Sequence, residues 1–457
     1  MYGFLDTEVA VGTAQLAHEG VRLLSFMRLS PDDREHVASM LALAHTPTNG
    51  TAVDLGSGTG EFARLASEVR PDIAFTCVND NAWQLTQSPH TSRTVLADMV
   101  STGLPTAHFD AVFISYAIGH ADVVAVLREA YRLLAPGGRV VIHDQFARDY
   151  MQQQRFHTAL HYQIHQRCEL RVWLDLLGLS EVEFVESAYV APGSTVLQVV
   201  QSGLLDGLEH GVLVATKTHS PRLTPGRTAL HFSGGKDSLA CLYALRPFLH
   251  ELIVYHMNTG DRCPETAAIV DEVASWIPNF VEVQSDARAW RAAFGDPTDI
   301  MPANSHMLGV AYGMSDTRLT CRFDCCYQNL MRPMHERMLA DGIVAVVRGT
   351  KLCDTGKVPA EGKTEIYDVL LPIKDWSHAE VFAYLESVGA PKNPIYKHFK
   401  SISAPECFTC TAWWDDNKAA YYRALHPQQL TVYRSNLLRH AQIIQSHIED
   451  LCAELKE

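Results

Sequence analysis

The first 216 residues of this 457-residue sequence contain no lysine, and all eleven lysines lie from Lys217 onward. Residues 218–227, THSPRLTPGR, then combine two prolines and a glycine without apolar periodicity, a pattern typical of a linker. The length of the chain also favours more than one domain. We therefore expect two domains of different composition that join in this segment.

Long apolar runs and a leader pattern are also lacking. No apolar run reaches membrane-spanning length, and residues 1–15 do not show the basic-then-apolar order of a signal peptide. We therefore expect a cytoplasmic protein without a membrane partner. Eleven cysteines in such a protein predict metal binding or catalysis where they cluster, rather than a disulfide framework.

Positive charge is scarce, since the formal net charge is −14. Nucleic-acid affinity is largely electrostatic, so this acidity disfavours a broad phosphate-binding face and a nucleic-acid partner. The local exception is the segment PKNPIYKHFK, which contains Lys392, Tyr396, Lys397 and Lys400. A solvated loop is the simpler interpretation of that segment.

Residues 51–66, TAVDLGSGTGEFARLA, have the pattern of an apolar strand, a glycine-rich turn and a helix. Gly56, Gly58 and Gly60 permit a tight turn and a close approach of a ligand to the backbone. The next two expected strands lead into polar residues, Asn79 with Asp80 and then Asp98. FDAVFISYAIGH, RLLAPGGRVVIHD, EVEFVES and GVLVATKT predict the remaining strands, with a turn at Pro-Gly-Gly.

These segments, in this order over residues 51–218, resemble the class I S-adenosylmethionine-dependent methyltransferases. The run VNDNAWQL is similar to the asparagine-containing version in sterol and tocopherol methyltransferases, which implies a small-molecule acceptor. The resemblance implies that seven residues surround the cofactor S-adenosylmethionine: Asp54, Gly56, Gly58, Gly60, Asn79, Asp98 and Ser115.

Histidines near the expected acceptor side have two interpretations each. His120 is a candidate general base, and a plain polar contact is the alternative. His157, His161 and His165 have the i, i+4, i+8 spacing of one helix face. Such a face either binds a metal or forms a polar cover over the acceptor pocket.

A second strand, glycine turn and helix are predicted by residues 228–245, TALHFSGGKDSLACLYAL. Gly234 and Gly235 let backbone N–H groups point inward, the helix N-terminus favours an anion, and Lys236 adds positive charge. The glycines stand closer to the lysine than in a Walker loop. The turn therefore predicts a different kind of phosphate site, in which Asp237 and Ser238 would cap the helix.

The run SGGKDS resembles the loop of the PP-loop ATP pyrophosphatases, and later segments are similar to the phosphoadenylylsulfate and adenylylsulfate reductases of that superfamily. LIVYHMNTGDRCPET matches their strand and turn, except that Asn258 replaces an aspartate. VVRGTK and LLPIKDWSHAEVFAYLESVGAPKNPIY match two further segments, with Lys351 in place of an arginine. The resemblance covers residues 228–411 and implies catalytic roles for Lys236 and Asp237. It also implies a site for ATP or an adenylyl sulfonucleotide formed by Ser233, Gly234, Gly235, Lys236, Asp237, Ser238, Thr259, Gly260, Gly349 and Lys351.

Two cysteine pairs lie in this region: Cys325 with Cys326, and Cys407 with Cys410. The iron–sulfur branch of the reductase family has the same pairs at a similar separation, so the resemblance implies that these four thiolates hold a [4Fe–4S] cluster. Structural zinc and inert buried thiols are the alternatives, and Cys321 is a substitute ligand if its segment is helical. Cys353, near Lys351, is a candidate sulfur carrier.

The reductases of this family end in a mobile E-C-G-L-H tail, whereas the residues after Cys410 have the apolar spacing of ordinary helices. We therefore expect an α/β protein with two doubly wound domains. These are a Rossmann-like methyltransferase domain at residues 1–217 and a PP-loop domain at residues 228–411, with a linker at 218–227 and a helical tail at 412–457.

The favoured function is bifunctional. It combines iron–sulfur-dependent sulfur transfer through an adenylated intermediate with methylation of a small molecule, the new thiol being one candidate acceptor. The alternatives are a sulfonucleotide reductase fused to a methyltransferase, and an enzyme that thiolates or methylates a nucleic-acid base. A sulfur-donor or reductant protein is a possible partner, and the chain could also form a homodimer.

Overall fold

The computed structural model describes residues 27–160, 162–191, 203, 205–314, 317–355, 361–399, 405–414 and 417–455. The chain divides into two compact units, Met1–Arg222 and Leu223–Glu457. The division falls inside the expected linker, but part of that segment is hydrogen-bonded to the first unit. The Thr218 amide donates to the Gly178 carbonyl at 3.1 Å, and the Arg222 amide donates to the Leu176 carbonyl at 2.9 Å.

The first unit alternates strands with helices. Its strands are β1 (Met27–Arg28), β2 (Thr51–Leu55), β3 (Ala74–Asn79), β4 (Arg93–Leu96), β5 (Phe109–Ser115), β6 (Leu134–Phe146), β7 (Leu179–Glu186), β8 (Tyr189–Val190) and β9 (Glu209–Lys217). Its helices are α1 (Asp33–Ala44), α2 (Glu61–Val69), α3 (Ala82–Leu85), α4 (Val123–Leu133), α5 (Tyr150–Leu160) and α6 (Arg167–Leu176), with a 3₁₀ turn at Ile118–His120.

Seven of these strands form one mixed sheet in the order β4-β3-β2-β5-β6-β9-β7. β9 is antiparallel to both of its neighbours, and the other pairings are parallel. The strand order reverses between β2 and β5. In α/β sheets, a crevice opens at the carboxyl ends of the strands at such a switch point. The expected glycine turn follows β2 and therefore lies at this crevice.

An aromatic cluster packs against the centre of this sheet. Phe113 on β5 has no exposed surface, and its ring centre lies 4.8 Å from that of Phe62 and 6.1 Å from that of Phe75. Phe62 belongs to α2, and Phe75 belongs to β3. The cluster therefore joins the helix that follows the glycine turn to two strands of the sheet.

The second unit has a shorter parallel sheet and more helices. Its strands are β10 (Thr228–His231), β11 (Leu252–Asn258), β12 (Phe280–Gln284), β13 (Asp296–Thr298), β14 (Leu319–Cys321), β15 (Ala345–Val347), β16 (Gly362–Lys363) and β17 (Asp368–Leu370). Its α-helices are α7 (Lys236–Ala244), α8 (Pro264–Ala274), α9 (Ala287–Phe294), α10 (Met307–Ala311), α11 (Arg322–Cys326), α12 (Arg332–Ala340), α13 (Leu352–Thr355), α14 (His378–Ser387), α15 (Lys418–Leu425) and α16 (Pro427–Glu454). A π-helical turn, Tyr327–Met331, joins α11 to α12, and 3₁₀ turns occupy Arg246–Phe248, Ala303–Ser305 and Pro394–Lys397.

The six-stranded sheet has the order β12-β11-β10-β15-β17-β16, and only the edge strand β16 is antiparallel to its neighbour. β13 and β14 form a separate parallel pair. The strand order of the large sheet reverses between β10 and β15, so this sheet also has a switch point. The expected phosphate loop follows β10, and Gly349 follows β15.

The expected helix face with His157, His161 and His165 is wrong, because α5 ends before the second of these positions and α6 begins after the third. His161 itself lies outside the described residues. The chain between the helices pairs with other backbone segments instead. The carbonyl of His165 accepts from the Ala147 amide at 3.0 Å, and the carbonyl of Gly119 accepts an amide of the same segment at 3.0 Å.

The expected Pro-Gly-Gly turn also differs, since the structure includes these residues in β6. The pairing of β5 with β6 shifts register between Phe109 and Ala111, which accommodates the extra residues as a bulge. Among the described residues, no helix combines the length and the apolar character needed to cross a membrane.

Truncation of Phe113 tests the aromatic cluster. Phe113→Ala removes a ring without exposed surface, so we expect a loss of about 3–5 kcal/mol in the free energy of unfolding of the first unit. In calorimetry of the full chain, the transition of that unit should fall by at least about 6 °C while the other transition stays in place. Tyr189→Ala truncates a ring that is 46% exposed and is the control. Equal effects of the two substitutions would contradict this account of the core.

Candidate functional site

The glycine turn after β2 approaches two other segments of the first unit. Gly56, Gly58 and Gly60 all have positive φ angles, of 75°, 53° and 73°. The Gly56 amide donates to the Val78 carbonyl at 2.9 Å, which ties the turn to β3. A Cβ atom on Gly56 would lie 2.6 Å from the Cβ of Ala117, so the turn leaves no space for a side chain there.

Gly58 differs from its neighbours because it faces open space. A Cβ atom on Gly58 would meet no heavy atom within 4 Å, although the backbone has a conformation that favours glycine. Its positive φ favours glycine, and the open space beside it leaves the backbone of the turn accessible to a ligand.

The expected cofactor residues lie at the ends of neighbouring strands. Asp54 pairs with Cys77 on β3 and with Phe113 on β5, so β3 and β5 end on either side of the turn. Asn79 is the last residue of β3, and Ser115 is the last residue of β5.

The side chains of these residues differ in their surroundings. Asp54 is buried, and burial raises the pKa of its carboxyl to about 7. The Asn79 amide is buried and donates to the Gln84 side chain at 2.6 Å. Asp98 is exposed, and its carboxylate accepts from the Val100 amide at 3.0 Å. Ser115 has a buried hydroxyl with no hydrogen-bond partner in the described chain, which fits a ligand that supplies one.

The loop after β5 leads to a polar group that sequence reasoning missed. His120 is exposed, and its ring lies edge-on to the ring of Tyr162, with 4.7 Å between the ring centres. The Tyr162 hydroxyl donates to the carboxylate of Asp144, which is buried in β6. Burial raises the pKa of Asp144 to about 7. The structure therefore joins the predicted His120 to a buried hydroxyl and a buried carboxyl.

A further missed residue is Tyr116, which directly follows β5. It has a positive φ of 50°, which is uncommon for an aromatic residue, and its hydroxyl accepts from the Met27 amide at 3.1 Å. Its ring lies 5.0 Å from that of the buried His143. The polar run from His143 to Gln145 at the end of an apolar strand was the available sequence signal, whereas Tyr116 and Tyr162 had none.

In the second unit, the loop after β10 has the close packing that its glycines require. Gly234 has a φ of 81°, and a Cβ atom there would lie 2.7 Å from Val270 and 2.8 Å from Thr266. A Cβ atom on Gly349 would lie 2.7 Å from the backbone of Asp237. The loop after β15 therefore touches the start of α7, as a site at the switch point requires.

The hydroxyls of the loop bond within the loop itself. Ser238 accepts from the Ser233 amide at 3.2 Å and donates to the Gly235 carbonyl at 3.0 Å. The expected capping by Asp237 and Ser238 is wrong, because the N-cap of α7 is Gly235 and no side chain caps it. The Tyr396 hydroxyl instead contacts the Lys236 amide at 2.5 Å.

Two buried lysines meet at one carboxylate beside this loop. Lys236 and Lys351 are 4% and 0% exposed, and their ammonium groups lie 2.7 Å and 2.6 Å from the Asp237 carboxylate oxygens. Lys351 also contacts Asp354 at 2.9 Å. Although burial opposes its charge, these two carboxylates raise the pKa of Lys351. Lys351 therefore stays charged at the position where phosphate groups are expected.

The expected basic and aromatic patch is not a uniform surface. Lys392 pairs with Glu386 at 2.6 Å, and Tyr396 turns towards the phosphate loop. Lys397 is exposed, and Lys400 lies outside the described residues.

The turn after β11 connects the phosphate-loop sheet to the second cysteine pair. Thr259 accepts a hydrogen bond from the Cys407 thiol at 3.4 Å, and Gly260 has a φ of 70°. Asp261, which the sequence interpretation did not single out, accepts from both the amide and the hydroxyl of Thr409, at 3.1 Å and 2.7 Å. Its fully buried carboxylate also pairs with Arg291. Asp261 therefore holds the C-x-x-C loop against α9.

Another carboxylate, that of Asp299, connects the helix of the first cysteine pair to the segment that follows the second pair. Asp299 accepts from Arg322 of α11 at 2.8 Å and from the Trp413 amide at 3.1 Å. Cys325 and Cys326 lie in α11, and Trp413 follows Cys410 by three positions. One carboxylate thus links the segments of both cysteine pairs.

The thiols influence one another. Burial, together with the neighbouring thiols, raises the pKa of Cys325 to about 12 and that of Cys326 to about 11. Burial also raises the pKa of Cys407 to about 12, with a contribution from Cys410. Such a group of thiols ionises readily only when a metal compensates the negative charge.

Among the described residues, one group of three cysteine, histidine and acidic side chains places its ligand atoms within 4.8 Å of one another, namely Cys353, Asp354 and His378. The four cysteines of the two pairs are not part of it. Four thiolates are a donor set that suits either structural zinc or a [4Fe–4S] cluster.

One comparison with known proteins locates its match in the first unit. Residues 32–183 match a family described as a methyltransferase domain. The malonyl-[acyl-carrier protein] O-methyltransferase of Alcanivorax borkumensis is 31% identical over 97 residues, which cover 20% of this chain and 33% of that protein. The 2-phytyl-1,4-naphtoquinone methyltransferase of Thermosynechococcus vestitus is 30% identical over 150 residues, which cover 28% of this chain and 65% of that protein. The chain thus spans less than two thirds of each relative.

Solved structures give similar matches. Geranyl diphosphate C-methyltransferase from Streptomyces coelicolor aligns with a TM-score of 0.38 at 14% identity, over 44% of this chain and 93% of its own. Phosphoethanolamine N-methyltransferase 2 from Haemonchus contortus aligns with a TM-score of 0.39 at 17% identity, over 47% of this chain and 59% of its own. Because scores this low do not establish a shared fold, the assignment rests on the sequence family. The first unit of this chain contains a class I S-adenosylmethionine-dependent methyltransferase domain.

Proposed function

We propose that the first unit transfers a methyl group from S-adenosylmethionine to a small molecule. The observation that carries this proposal is Gly58, a positive-φ glycine that no neighbouring atom requires, at the switch point of a methyltransferase domain. Gly56 and Gly60 shape the same turn, while Asn79, Asp98 and Ser115 supply polar groups for the ribose and adenine. The sulfonium of the bound cofactor supplies an electrophilic methyl group.

The polar group beyond β5 is suited to the acceptor. Tyr162 and His120 have adjoining rings, and Asp144 accepts the hydrogen bond of Tyr162. A carboxyl whose pKa lies at about 7 can accept a proton near neutral pH, and His120 is open to solvent. We assign to His120 a contact with the methyl acceptor. We assign to Asp144 and Tyr162 the orientation of the acceptor and the holding of its proton. The two relatives differ in their named acceptors, so the atom that is methylated is left open.

We propose for the second unit the binding of ATP or an adenylyl sulfonucleotide, followed by sulfur chemistry. The observation in favour is that two buried lysines contact the Asp237 carboxylate beside the glycine loop. A second loop packs against the same place through Gly349. Lys236 and Lys351 would hold the phosphates, with the backbone amides of residues 233–238.

The cysteines connect this nucleotide site to sulfur chemistry. Cys325, Cys326, Cys407 and Cys410 would hold a [4Fe–4S] cluster, which when bound supplies a site for a sulfur ligand or for electrons. Asp261 positions the second pair by binding Thr409 and Arg291. Thiolation by way of an adenylated intermediate is the favoured activity, and reduction of a sulfonucleotide is the alternative. Steady release of sulfite from adenylylsulfate with added dithiol would favour the alternative.

The glycine turn offers a matched pair of substitutions for the methyltransferase proposal. Gly58 and Gly103 both have positive φ angles, of 53° and 69°, and a Cβ atom meets nothing within 4 Å at either position. Gly58→Ala and Gly103→Ala should therefore cost about the same stability, roughly 1–2 kcal/mol. In calorimetric titration with S-adenosylhomocysteine, we expect Gly58→Ala to weaken binding at least about tenfold and Gly103→Ala to leave it unchanged. Equal affinities would exclude the turn as the cofactor site.

Substitution of Lys236 tests the nucleotide proposal. Lys236→Ala removes one of two buried charges at the loop, so we expect the affinity for ATP to fall by about tenfold or more. Lys392→Ala is the control, since its ammonium pairs with Glu386 at the surface and its side chain is 75% exposed. Titration of ATP into each full-length variant gives the two affinities. An unchanged affinity in Lys236→Ala would refute the phosphate role of this loop.

Iron analysis tests the cluster. After anaerobic purification we expect about four iron and four acid-labile sulfide per chain, with visible absorption. Cys410→Ser should lose most of both, whereas Cys452→Ser, which alters an exposed cysteine of α16, should retain them. Zinc in place of iron, or equal iron in both variants, would overturn the cluster assignment.

A further inference from the structure

A second group of metal-binding side chains lies beside the phosphate loop. The thiol of Cys353, the carboxylate of Asp354 and the imidazole of His378 place their ligand atoms within 4.8 Å of one another. Cys353 and Asp354 are neighbours in α13, and His378 is the first residue of α14. The group is separate from the four cysteines of the expected cluster.

Several contacts fix the relative position of the two helices. The amide of Leu352, the first residue of α13, donates to the Lys374 carbonyl at 2.8 Å. The Cys353 thiol reaches the Trp376 carbonyl at 3.4 Å. Ser377 caps α14 in a reciprocal arrangement with Glu380, which fixes the first turn of the helix that carries His378. The three side chains are therefore brought together by the backbone.

The spacing suits a single ion. His378 Nε2 lies 3.8 Å from Asp354 Oδ1. Zinc with bonds of roughly 2.0–2.2 Å to nitrogen and oxygen separates two such ligands by about 3.4 Å in a tetrahedral site. A small side-chain movement would close the difference. The other ring nitrogen of His378 is buried and has no hydrogen-bond partner in the described chain.

The kinds of ligand decide between metals. Magnesium and calcium bind oxygen ligands, whereas a thiolate and an imidazole together favour zinc and related transition metals. Three protein ligands also leave a fourth position for water or another ligand, as in catalytic zinc sites. Cys353 and Asp354 are exposed, so an ion can enter from solvent.

We propose that Cys353, Asp354 and His378 bind a zinc ion with one open coordination position. The thiolate and carboxylate balance the charge of the ion. Asp354 also contacts Lys351, with 2.9 Å to Oδ1 and 3.2 Å to Oδ2, and its Oδ2 accepts from the Lys351 amide at 3.1 Å. Oδ1 is the oxygen nearer to His378, and an ion bound there would share it with the Lys351 ammonium.

The shared carboxylate couples this site to the phosphate loop. Lys351 contacts both Asp354 and Asp237, the latter at 2.6 Å. An ion at Oδ1 of Asp354 weakens the bond between Lys351 and Asp354. Zinc binding therefore shifts Lys351 towards Asp237 and the expected phosphates. The zinc site itself depends on none of the activities proposed above.

Cobalt(II) is the probe that separates this site from the four cysteines. Metal-free full-length protein is titrated anaerobically with cobalt, and bound metal and the thiolate-to-cobalt absorption are measured. We expect the wild-type protein to bind one more cobalt per chain than Cys353→Ser. Loss of one ligand in His378→Gln should weaken that site by at least about tenfold. Cys452→Ser, with another exposed cysteine replaced, should match the wild type.

Identical stoichiometry and absorption in the wild type, Cys353→Ser and His378→Gln would overturn the proposal. Thermal unfolding with added zinc gives a second measurement that requires only one folded variant, because an ion that binds the native state raises its melting temperature. Zinc should raise the melting temperature of the wild type more than that of His378→Gln. Equal shifts would also overturn it.

Discussion

Both units depend on a reversal of strand order among the parallel strands of their main sheet. The reversal lies between β2 and β5 in the first unit and between β10 and β15 in the second. Because parallel strands end at the same edge, the loops after these pairs must lie side by side and must pack without obstruction. Gly56 against Ala117, and Gly349 against Asp237, are the close approaches that this requires. Gly56 and Gly349 are thus required by close packing between loops. Gly58 differs from them because no neighbouring atom lies within 4 Å of the position of its Cβ atom.

One buried carboxylate, Asp261, and one partly buried carboxylate, Asp299, then hold together the rest of the second unit. Asp261 has a side chain with no exposed surface and is satisfied by Arg291, Arg288 and Thr409. Removing one partner of such a group costs roughly 3–5 kcal/mol, because the remaining charge stays buried. Asp299 plays the corresponding part for α11 and the residues after Cys410. The cysteine pairs are distant in sequence, so their position depends on these long-range bonds.

The sequence predicted the features that depend on residues close together in the chain, and it missed those that depend on residues far apart. The glycine turns, their flanking strands and helices, and the polar residues at strand ends are local patterns, and the structure places them as expected. The helix through His157, His161 and His165 failed because backbone pairing with Gly119 and Ala147 interrupts it. Tyr162 and Arg291 gave no local signal, since each acquires its role from a partner far along the chain. The same applies to His378, which meets Cys353 only through the packing of α13 and α14.

The charges at the loop after β10 bear on how an acidic chain would bind the proposed anionic ligand. Lys236 and Lys351 are buried and already paired with Asp237, and Lys351 also with Asp354. A polyphosphate would therefore compete with these carboxylates for the two lysines within a confined loop. Long-range attraction to a basic surface does not assist that competition. Recognition of this kind favours a small ligand whose phosphates reach the loop amides over the backbone of a nucleic acid. The two carboxylates that contact Lys351 raise the pKa of its ammonium, so the proposed phosphate site has a positive charge in place within a chain whose net charge is −14.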